Sequence, residues 1–400
     1  MTILIDPPAW SAHGRLWAHL ISDSSLDELH DFAAAHGVPR RGFERDHYDV
    51  PAEMYDALVA AGAKPISARD VVQALEKAGL RRRKSRSMAR RAPGNELLRP
   101  PRLRPGDLVA VCATAGVVQA DRLRRGVERL ESWGLRVQVA PHVLGRHPAL
   151  SYLAASDVDR AADFAAAWAD PEVSGIVFAR GGYGTQRVLD LLDWRRMAET
   201  EPKVLVGFSD VTAMHQACAT RLGLATVHGH VVTSLGASDA KSRERLRVLL
   251  FEPESAADLL DGQDVTTVVG GVAEGVLVGG NLALLAAELG GPSSRPARGG
   301  IVLLEEIDEE PYRIDRMLTQ LLRSEWFDRV AGIVVGAFTD CGDPAEVEAV
   351  LEDRLVPLGV PMVSSVDVGH TATTLPMPLG VVARLDADHG RLTLTRPALA

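Results

Sequence analysis

The chain has 400 residues, of which 46% are hydrophobic and 24% charged, with a formal net charge of −9 at pH 7. This length predicts two or three globular domains, and the acidic balance argues against a general nucleic-acid or membrane-surface binder. The three cysteines (Cys112, Cys218 and Cys341) are far apart and form no C-x-x-C pair, so they predict no disulfide framework and fit a reducing compartment.

The N-terminal region carries no signal for export. It has neither a basic stretch nor an apolar core of a signal peptide, and the chain has no run of 18 apolar residues. We therefore expect a cytoplasmic protein.

Residues 1–80 are predicted to form a small α/β domain. An apolar run at Ile3–Ile5 predicts a strand, and helical patterns follow at Ser25–Ala35 and Ala68–Ala78. Five of the twelve histidines lie in the first 47 residues. Potential ligands for Zn²⁺ or Mn²⁺ are dense but irregularly spaced, so a metal or phosphoryl site and a hydrogen-bonded structural network both stay open: Asp6, His13, His19, Asp23, His30, Asp46, His47 and Asp49.

Residues 81–104 are predicted to form a basic linker. Ten of them are Arg or Lys, one is acidic (Glu96), and proline and glycine interrupt the rest. A solvated tether and an electrostatic contact with RNA or another anionic partner are the two interpretations of this composition.

From Gly106 onward, apolar β-branched runs alternate with helical patterns. This alternation predicts a parallel, doubly wound sheet over residues 105–235, with functional sites at the carboxyl ends of its strands. The predicted strands are Asp107–Ala113, Leu135–Ala140, Ser174–Ala179, Val204–Gly207 and Ala225–His228, and the helices are Ala120–Trp133, Ser156–Trp168, Thr185–Asp193 and Val211–Leu222.

A second α/β domain is predicted over residues 271–400, after a linker at 236–270. It ends in a hairpin that turns at residues 388–390. The predicted strands are Ile301–Leu304, Gly332–Ala337 and Pro361–Ser365, and the helices are Asn281–Leu289, Ile314–Leu322 and Ala345–Leu355.

Ser209 is the candidate nucleophile. It lies between a predicted strand and a predicted helix, a position that raises a reactive serine above a sheet and points the amide of Asp210 at an oxyanion. Helix capping is the alternative for such a serine. Gly181, Gly182 and Gly184 follow the preceding strand, where backbone amides could supply a second oxyanion donor or form only a tight turn.

Two further residues complete a possible triad. Glu305 follows the strand Ile301–Leu304, and His370 lies in a threonine-rich loop after a strand. A surface ion-pair role for the acid and a structural role for the histidine are the alternatives. Serine, acid and histidine together supply the nucleophile, the residue that orients the base, and the base itself.

Six blocks between about Leu103 and Pro397 resemble the LD-carboxypeptidases, a serine peptidase family that includes the microcin C self-immunity peptidases. The blocks are LRPGDLVAV, ARGGYGTQRVL, GFSDVTAM, VGGNLALLAAELGGP, LLEEIDEEPYRIDRMLTQL and GHTATTLPMPLG. The resemblance implies a Rossmann-like domain that carries the serine, a second α/β domain that carries the glutamate and histidine, a homodimer, and no metal or other cofactor.

By the same resemblance, Ser209 is the nucleophile, Glu305 the acid and His370 the base. The implied reaction releases D-alanine from a murein tetrapeptide. We expect Asp210 and Gly182 to bind the oxyanion, and Gly181, Tyr183, His228 and Asn281 to line the substrate pocket, with helix capping an equal alternative for the last.

Two segments depart from the family pattern. Cys112–Ala115 stands where the family usually has a Pro-Ser pair, and His230 stands where it usually has proline after His228-Gly229. A peptidyl- or aminoacyl-nucleotide amide is therefore an alternative substrate, and a non-catalytic nucleotide- or sugar-binding module is an alternative of another class. Residues 1–80 resemble a small bacterial domain of uncharacterised function.

Overall fold

The computed structural model describes residues 2–12, 15–44, 46–78, 80 and 96–400. The chain divides into two compact units, Met1–Ser87 and Met88–Ala400. His13 and residues 81–95 of the predicted linker lie outside the described residues. Among the helices that the structure describes, none is long and apolar enough to cross a membrane.

The first unit is a mixed sheet with three helices. Ser25 caps α1 by accepting a hydrogen bond from the backbone N–H of Glu28, as expected for this residue type. The sheet order is β4-β5-β3-β1-β6, with β2 paired to β3. The strands are β1 (Ile3–Ile5), β2 (Trp10–Ala12), β3 (Arg15–Ser22), β4 (Phe43–Glu44), β5 (His47–Pro51) and β6 (Lys64–Pro65), and the helices are α1 (Leu26–Ala35), α2 (Tyr55–Ala60) and α3 (Ala68–Lys77).

The second unit contains thirteen strands in the described residues. They are β7 (Leu108–Cys112), β8 (Arg136–Val139), β9 (Val173–Phe178), β10 (Val204–Gly207), β11 (Thr226–His228), β12 (Thr266–Val269), β13 (Val272–Asn281), β14 (Gly300–Ile307), β15 (Gly332–Thr339), β16 (Met362–Ser364), β17 (Met377–Leu379), β18 (Val382–Asp386) and β19 (Arg391–Leu394).

Its α-helices lie mostly between these strands. They are α4 (Ala120–Ser132), α5 (Asp157–Ala169), α6 (Thr185–Leu189), α7 (Trp194–Met197), α8 (Thr212–Ala217), α9 (Val232–Leu235), α10 (Ala240–Phe251), α11 (Leu282–Ala287), α12 (Pro311–Arg323) and α13 (Pro344–Leu355). A 3₁₀ turn, Ser209–Val211, precedes α8, and a π-helical turn, Cys218–Leu222, follows it.

The strands form two mixed sheets. The first has the order β17-β11-β10-β9-β7-β8, in which only β17 is antiparallel. In chain order its parallel strands run 2-1-3-4-5, a common order for doubly wound sheets. The second sheet has the order β12-β16-β15-β14-β13-β18-β19, with a parallel centre and antiparallel edges. The predicted α/β class is confirmed, but neither sheet is purely parallel.

The structure corrects two expectations about the segments between domains. The predicted linker at 236–270 contains α10 and β12, because the leucines of α10 are buried although five of its twelve residues are charged. Residues 96–104 of the basic linker pack against the second unit through buried Leu97 and Leu103. Strand β17 lies within the predicted C-terminal domain and pairs with β11 of the first sheet, so it joins the two sheets.

The packing of α10 generates a test of this correction. Leu246 is buried on α10, and replacing it with alanine should lower the free energy of unfolding by about 2–5 kcal/mol through lost burial and a new cavity. Leu144 lies exposed in a loop, so Leu144→Ala is the matched control and should change the free energy of unfolding by about 0.5 kcal/mol or less. Denaturant unfolding that showed the same small change for both variants would restore the linker interpretation.

Candidate active site

Ser209 occupies a strained turn at the carboxyl end of β10. Its φ is +65°, a left-handed conformation that non-glycine residues rarely adopt. Phe208, not Ser209, holds the cap position of the 3₁₀ turn, so the capping alternative does not apply. A side chain at Gly207 would approach Val211 and Phe178 within about 3 Å. The local sequence therefore supports a sharp strand-to-helix turn that presents the serine.

The glycine turn after β9 lies against this serine. A Cβ atom built on Gly181 would be 2.8 Å from Ser209 Cβ and 2.9 Å from Ser209 Oγ, so only glycine fits there. Gly182 has a φ of +109°, and the carbonyl of Gly181 accepts a 3.1 Å bond from the amide of Gly116. The turn thus brings backbone close to the serine hydroxyl, although the serine and the glycines are about 27 residues apart.

Asp210 ties the serine turn to the glycine turn. Its buried carboxylate accepts a 2.8 Å hydrogen bond from the backbone N–H of Thr185, at the start of α6. Burial raises the pKa of Asp210, and the hydrogen bonds from Thr185 and Gly184 act in the opposite direction. Sequence reasoning used only the amide of Asp210, and its side chain adds this structural role.

Glu305 and His370 form a hydrogen-bonded pair. Glu305 lies in β14 and is fully buried, and its Oε2 accepts a 2.8 Å bond from Nδ1 of His370. Gly369 permits this contact, because a Cβ on it would be 2.7 Å from Glu305 Oε2. With Nδ1 donating, the lone pair of the neutral imidazole is on Nε2.

A second histidine contacts the same carboxylate. His228, at the end of β11, is fully buried, and its Nε2 lies 3.7 Å from Glu305 Oε1. Burial alone would raise the pKa of Glu305, but the contacts with His228 and His370 outweigh it and lower that pKa to about 2. The structure thus places His228, which we expected to line the substrate pocket, beside the carboxylate of Glu305 and away from solvent.

The serine turn and the Glu305–His370 pair meet although they belong to different sheets. The imidazole of His370 packs against the ring of Phe208, the residue before Ser209, with 4.8 Å between ring centroids. Behind them, the backbone N–H of Asn281 donates to Thr212 Oγ1 at 3.1 Å, which joins β13 to α8. Gly280, with a φ of +130°, leaves room for Thr212 at this junction.

Asn281 and Glu306 form a polar cluster beneath the site. Asn281 Oδ1 caps α11 by accepting from Leu284 N, and its Nδ2 donates to Glu306 Oε1 at 2.8 Å. Glu306 also accepts from the backbone N–H groups of Ala283 and Ile307. The capping alternative for Asn281 is therefore observed. Sequence reasoning missed Glu306, and the doubled acid Glu305-Glu306 in the sequence was its only signal.

The remaining candidates and departures lie around these groups. Tyr183 is about half exposed, with its ring 6.0 Å from that of Tyr152. His230 is buried between Ser242 and Ser234, and burial lowers its pKa to about 4, so it acts as a neutral structural residue. Thr114 contacts Thr185 through a 2.9 Å hydroxyl pair, so this departure from the family pattern supports the glycine turn.

Comparison with known families gives matches over both units. Residues 109–229 match the LD-carboxypeptidase N-terminal domain, and residues 274–385 match the LD-carboxypeptidase C-terminal domain. Residues 3–78 match a family described as a protein of unknown function, DUF4031.

Individual relatives agree with these family matches, and a solved structure shows a shared fold. A putative carboxypeptidase of Streptomyces coelicolor is 52% identical over 76% of this chain and 98% of its own length. The murein tetrapeptide carboxypeptidase of Pseudomonas aeruginosa is 33% identical over 71% of this chain and 94% of its length. The structure of MccF in complex with glutamyl sulfamoyl guanosine aligns with a TM-score of 0.66 at 21% identity, covering 76% of this chain and 100% of that one, which shows a shared fold.

Glu306 gives the site a testable pH dependence. Burial raises its pKa from 4.5 to about 7, so between these values the unfolded chain loses a proton that the folded chain keeps. Stability attributable to Glu306 is therefore fully present below about pH 4.5 and is lost as the pH rises through 7. The free energy of unfolding of Glu306→Gln should therefore rise relative to that of wild type by up to about 3 kcal/mol between pH 4.5 and pH 8.

The measurement is denaturant unfolding of wild type and Glu306→Gln at several pH values in this range. Comparing the two proteins cancels the other titrating groups, and the change of the difference with pH is the readout. Glu348 lies exposed on α13, so Glu348→Gln is the matched control, and its stability difference from wild type should not vary with pH in this way. A difference that stayed constant with pH would contradict the assignment.

Proposed function

The chain belongs to the LD-carboxypeptidase family of serine peptidases, and from this premise we propose that it hydrolyses the L-D amide bond of a murein tetrapeptide and releases the terminal D-alanine. In this proposal Ser209 is the nucleophile, His370 the general base, and Glu305 the acid that orients it. The choice of substrate rests on a relative, the murein tetrapeptide carboxypeptidase of P. aeruginosa, which is 33% identical to this chain.

The observation that carries the proposal is the 2.8 Å bond between Glu305 and His370, next to the strained turn of Ser209. Ionised Glu305 holds the imidazole in the tautomer whose Nε2 can accept a proton, and it stabilises the imidazolium that then forms. Packing of the His370 ring on Phe208 brings this base to the backbone that carries the nucleophile. A structural ion pair would require none of these features at Ser209.

The proposed acylation step transfers one proton and forms one bond. Ser209 Oγ attacks the carbonyl carbon that precedes D-alanine, while Nε2 of His370 takes the hydroxyl proton. The tetrahedral intermediate then collapses, the C–N bond breaks, and the imidazolium of His370 gives its proton to the leaving amine of D-alanine. The product is an acyl-enzyme ester on Ser209.

Deacylation repeats the same steps with water as the nucleophile. His370 takes a proton from water, hydroxide attacks the ester, and the proton returns to Ser209 as the tripeptide leaves. We assign the oxyanion to the backbone amides of Asp210 and Gly182. The Asp210–Thr185 bond supports this assignment because it links the two turns that carry these amides, and one such donor is worth about 3 kcal/mol.

An aminoacyl-nucleotide amide is the second candidate substrate. The shared fold with MccF brings it into consideration, but that likeness is only at the level of fold. The higher identity to a murein carboxypeptidase favours the murein peptide. A cytoplasmic location and a homodimer, both implied by the family resemblance, are part of the proposal, and size-exclusion chromatography with light scattering tests the dimer.

One prediction concerns the proposed nucleophile and the proposed base. Purified protein should remove one alanine from a murein tetrapeptide that ends in D-alanine, and Ser209→Ala and His370→Ala should each slow this by at least about 10³-fold. Because the residues act as a unit, the double variant should be no slower than Ser209→Ala alone. Mass spectrometry of the peptide gives the rates, and Ser132→Ala, at an exposed serine, is the control.

Three outcomes separate the candidates. A Ser209→Ala variant that keeps more than about a tenth of the rate would exclude the serine mechanism. An intact tetrapeptide together with hydrolysis of an aminoacyl sulfamoyl adenosine would move the proposal to the second substrate. If the double variant were slower than Ser209→Ala by the factor that His370→Ala alone causes, the two residues would not act in the same catalytic unit.

Another prediction concerns the contact between the glycine turn and the nucleophile. Gly181→Ala should lower kcat by about 10²-fold, because its Cβ would displace the Ser209 hydroxyl from its reactive position. Gly229→Ala is the matched control, since the same added atom would meet nothing closer than 3.5 Å and neither glycine has positive φ. Circular dichroism should be unchanged for both. Equal rates for the two variants would contradict the arrangement.

A further inference from the structure

A cluster of histidine and aspartate side chains in the first unit takes no part in the chemistry proposed for the second. It consists of His19 on β3 and His47 and Asp49 on β5. One possible ligand atom from each of these side chains lies within 4.8 Å of the other two. His19 pairs directly with Asp49 across the antiparallel strands, and His47 lies two residues before Asp49, so all three project from one face of the sheet.

Each histidine of the cluster is oriented by a buried carboxylate. Nδ1 of His19 bonds to Asp6 Oδ2 at 2.8 Å, and Nδ1 of His47 bonds to Asp46 Oδ1 at 2.7 Å. Asp6 and Asp46 are only 3% and 7% exposed. Histidines that bind metals typically donate Nδ1–H to such a carboxylate, which fixes the ring and makes Nε2 the more basic ligand.

The third side chain adds an oxygen beside these nitrogens. Asp49 Oδ1 lies 3.3 Å from Nε2 of His47, and within the described residues this oxygen accepts no hydrogen bond. Two ligands about 2.1 Å from a tetrahedral Zn²⁺ are separated by about 3.4 Å, so this pair already has the spacing of neighbouring ligands. The side chains of His19, His47 and Asp49 remain 20–32% exposed, which leaves access for an ion and for water.

The charge of the cluster selects the class of ligand. The cluster has three carboxylates (Asp6, Asp46 and Asp49) and two imidazoles, so its net charge is negative even with both imidazoles protonated, which repels a phosphate and attracts a divalent cation. Imidazole nitrogens with a carboxylate oxygen suit Zn²⁺, Fe²⁺ or Mn²⁺. We propose that His19, His47 and Asp49 bind one divalent transition-metal ion in the first unit, with Asp6 and Asp46 orienting the two histidines.

Three protein ligands and partial exposure imply an open coordination position. Closed structural zinc sites use four protein ligands, whereas catalytic sites use three and keep a water or substrate in the remaining position. The proposed site is therefore of the open kind. It would take a water molecule or an anionic or carbonyl oxygen of a ligand on the metal.

The test uses the full chain, purified without a histidine tag and stripped with a chelator. Titration calorimetry with Zn²⁺, Mn²⁺ and, under anaerobic conditions, Fe²⁺ should show one site per chain for at least one of these ions. Asp46→Asn should weaken binding by about 10- to 100-fold, as expected for the loss of an orienting carboxylate. His47→Ala and Asp49→Asn, which remove ligands, should weaken it further.

Two controls locate the ion. His36→Ala changes an exposed histidine of the same unit, and His370→Ala changes the proposed base of the second unit, so both variants should bind the ion as wild type does. Binding unchanged in His47→Ala and Asp49→Asn, or no binding of any of the three ions to wild type, would overturn the proposal.

A spectroscopic readout on wild type does not depend on how the variants fold. X-ray absorption of the Zn²⁺-loaded chain should show nitrogen and oxygen ligands at about 2.0–2.1 Å and the outer scattering of imidazole rings. Sulfur scattering at about 2.3 Å would assign the ion to cysteine and overturn the proposal.

Discussion

The proposed active site depends on keeping the buried carboxylate of Glu305 ionised. Moving such a charge out of water costs several kcal/mol unless partners compensate for it. Here an imidazole approaches each oxygen, His370 at 2.8 Å and His228 at 3.7 Å, and the pKa of Glu305 falls to about 2 in spite of burial. The end of β11, the end of β14 and the loop at Gly369 must therefore meet at this carboxylate.

This requirement explains why the two sheets of the second unit are tightly linked. The serine lies at the end of β10 in one sheet and its proposed base follows the strands of the other, so small shifts between the sheets would separate them. The Thr212–Asn281 bond and the close approach of Gly280 fix one side of the junction. Strand β17 fixes the other, because only Gly380 and Val381 separate it from β18 of the second sheet, yet it pairs with β11 of the first sheet.

The sequence predicted the elements that depend on local patterns and missed those that depend on distant contacts. The strand Val204–Gly207 and the turn at Ser209 followed from a buried apolar run that ends before a helical pattern. Strand β13 was missed because its glycines interrupt the apolar pattern that predicts a strand. Glycine is needed at these positions because neighbouring strands and Thr212 approach the backbone closely. Helix α10 was missed because charged residues surround its few buried leucines.

The site shows the same division between local and distant information. Motif resemblance pointed to Ser209, Glu305 and His370 as candidates, but no local pattern indicated that His228 would lie against Glu305. The resemblance suggested that this histidine lines the substrate pocket, whereas its position is set by the pairing of β11 with β10 and by its complete burial. Asn281 is similar, because its cap on α11 is local and its bond to Glu306 is not.

Both units contain the same side-chain pair, a carboxylate hydrogen-bonded to Nδ1 of a histidine, but in different surroundings. In the second unit a single imidazole oriented in this way lies beside a serine turn, so its Nε2 is suited to accept a proton. In the first unit, possible ligand atoms of two such imidazoles and of a third carboxylate lie within 4.8 Å of one another. Because several lone pairs face the same point, this arrangement is better suited to binding a cation than to transferring a proton. The number of oriented imidazoles and the group next to them, more than the carboxylate–histidine pair itself, decide which chemistry each unit can perform.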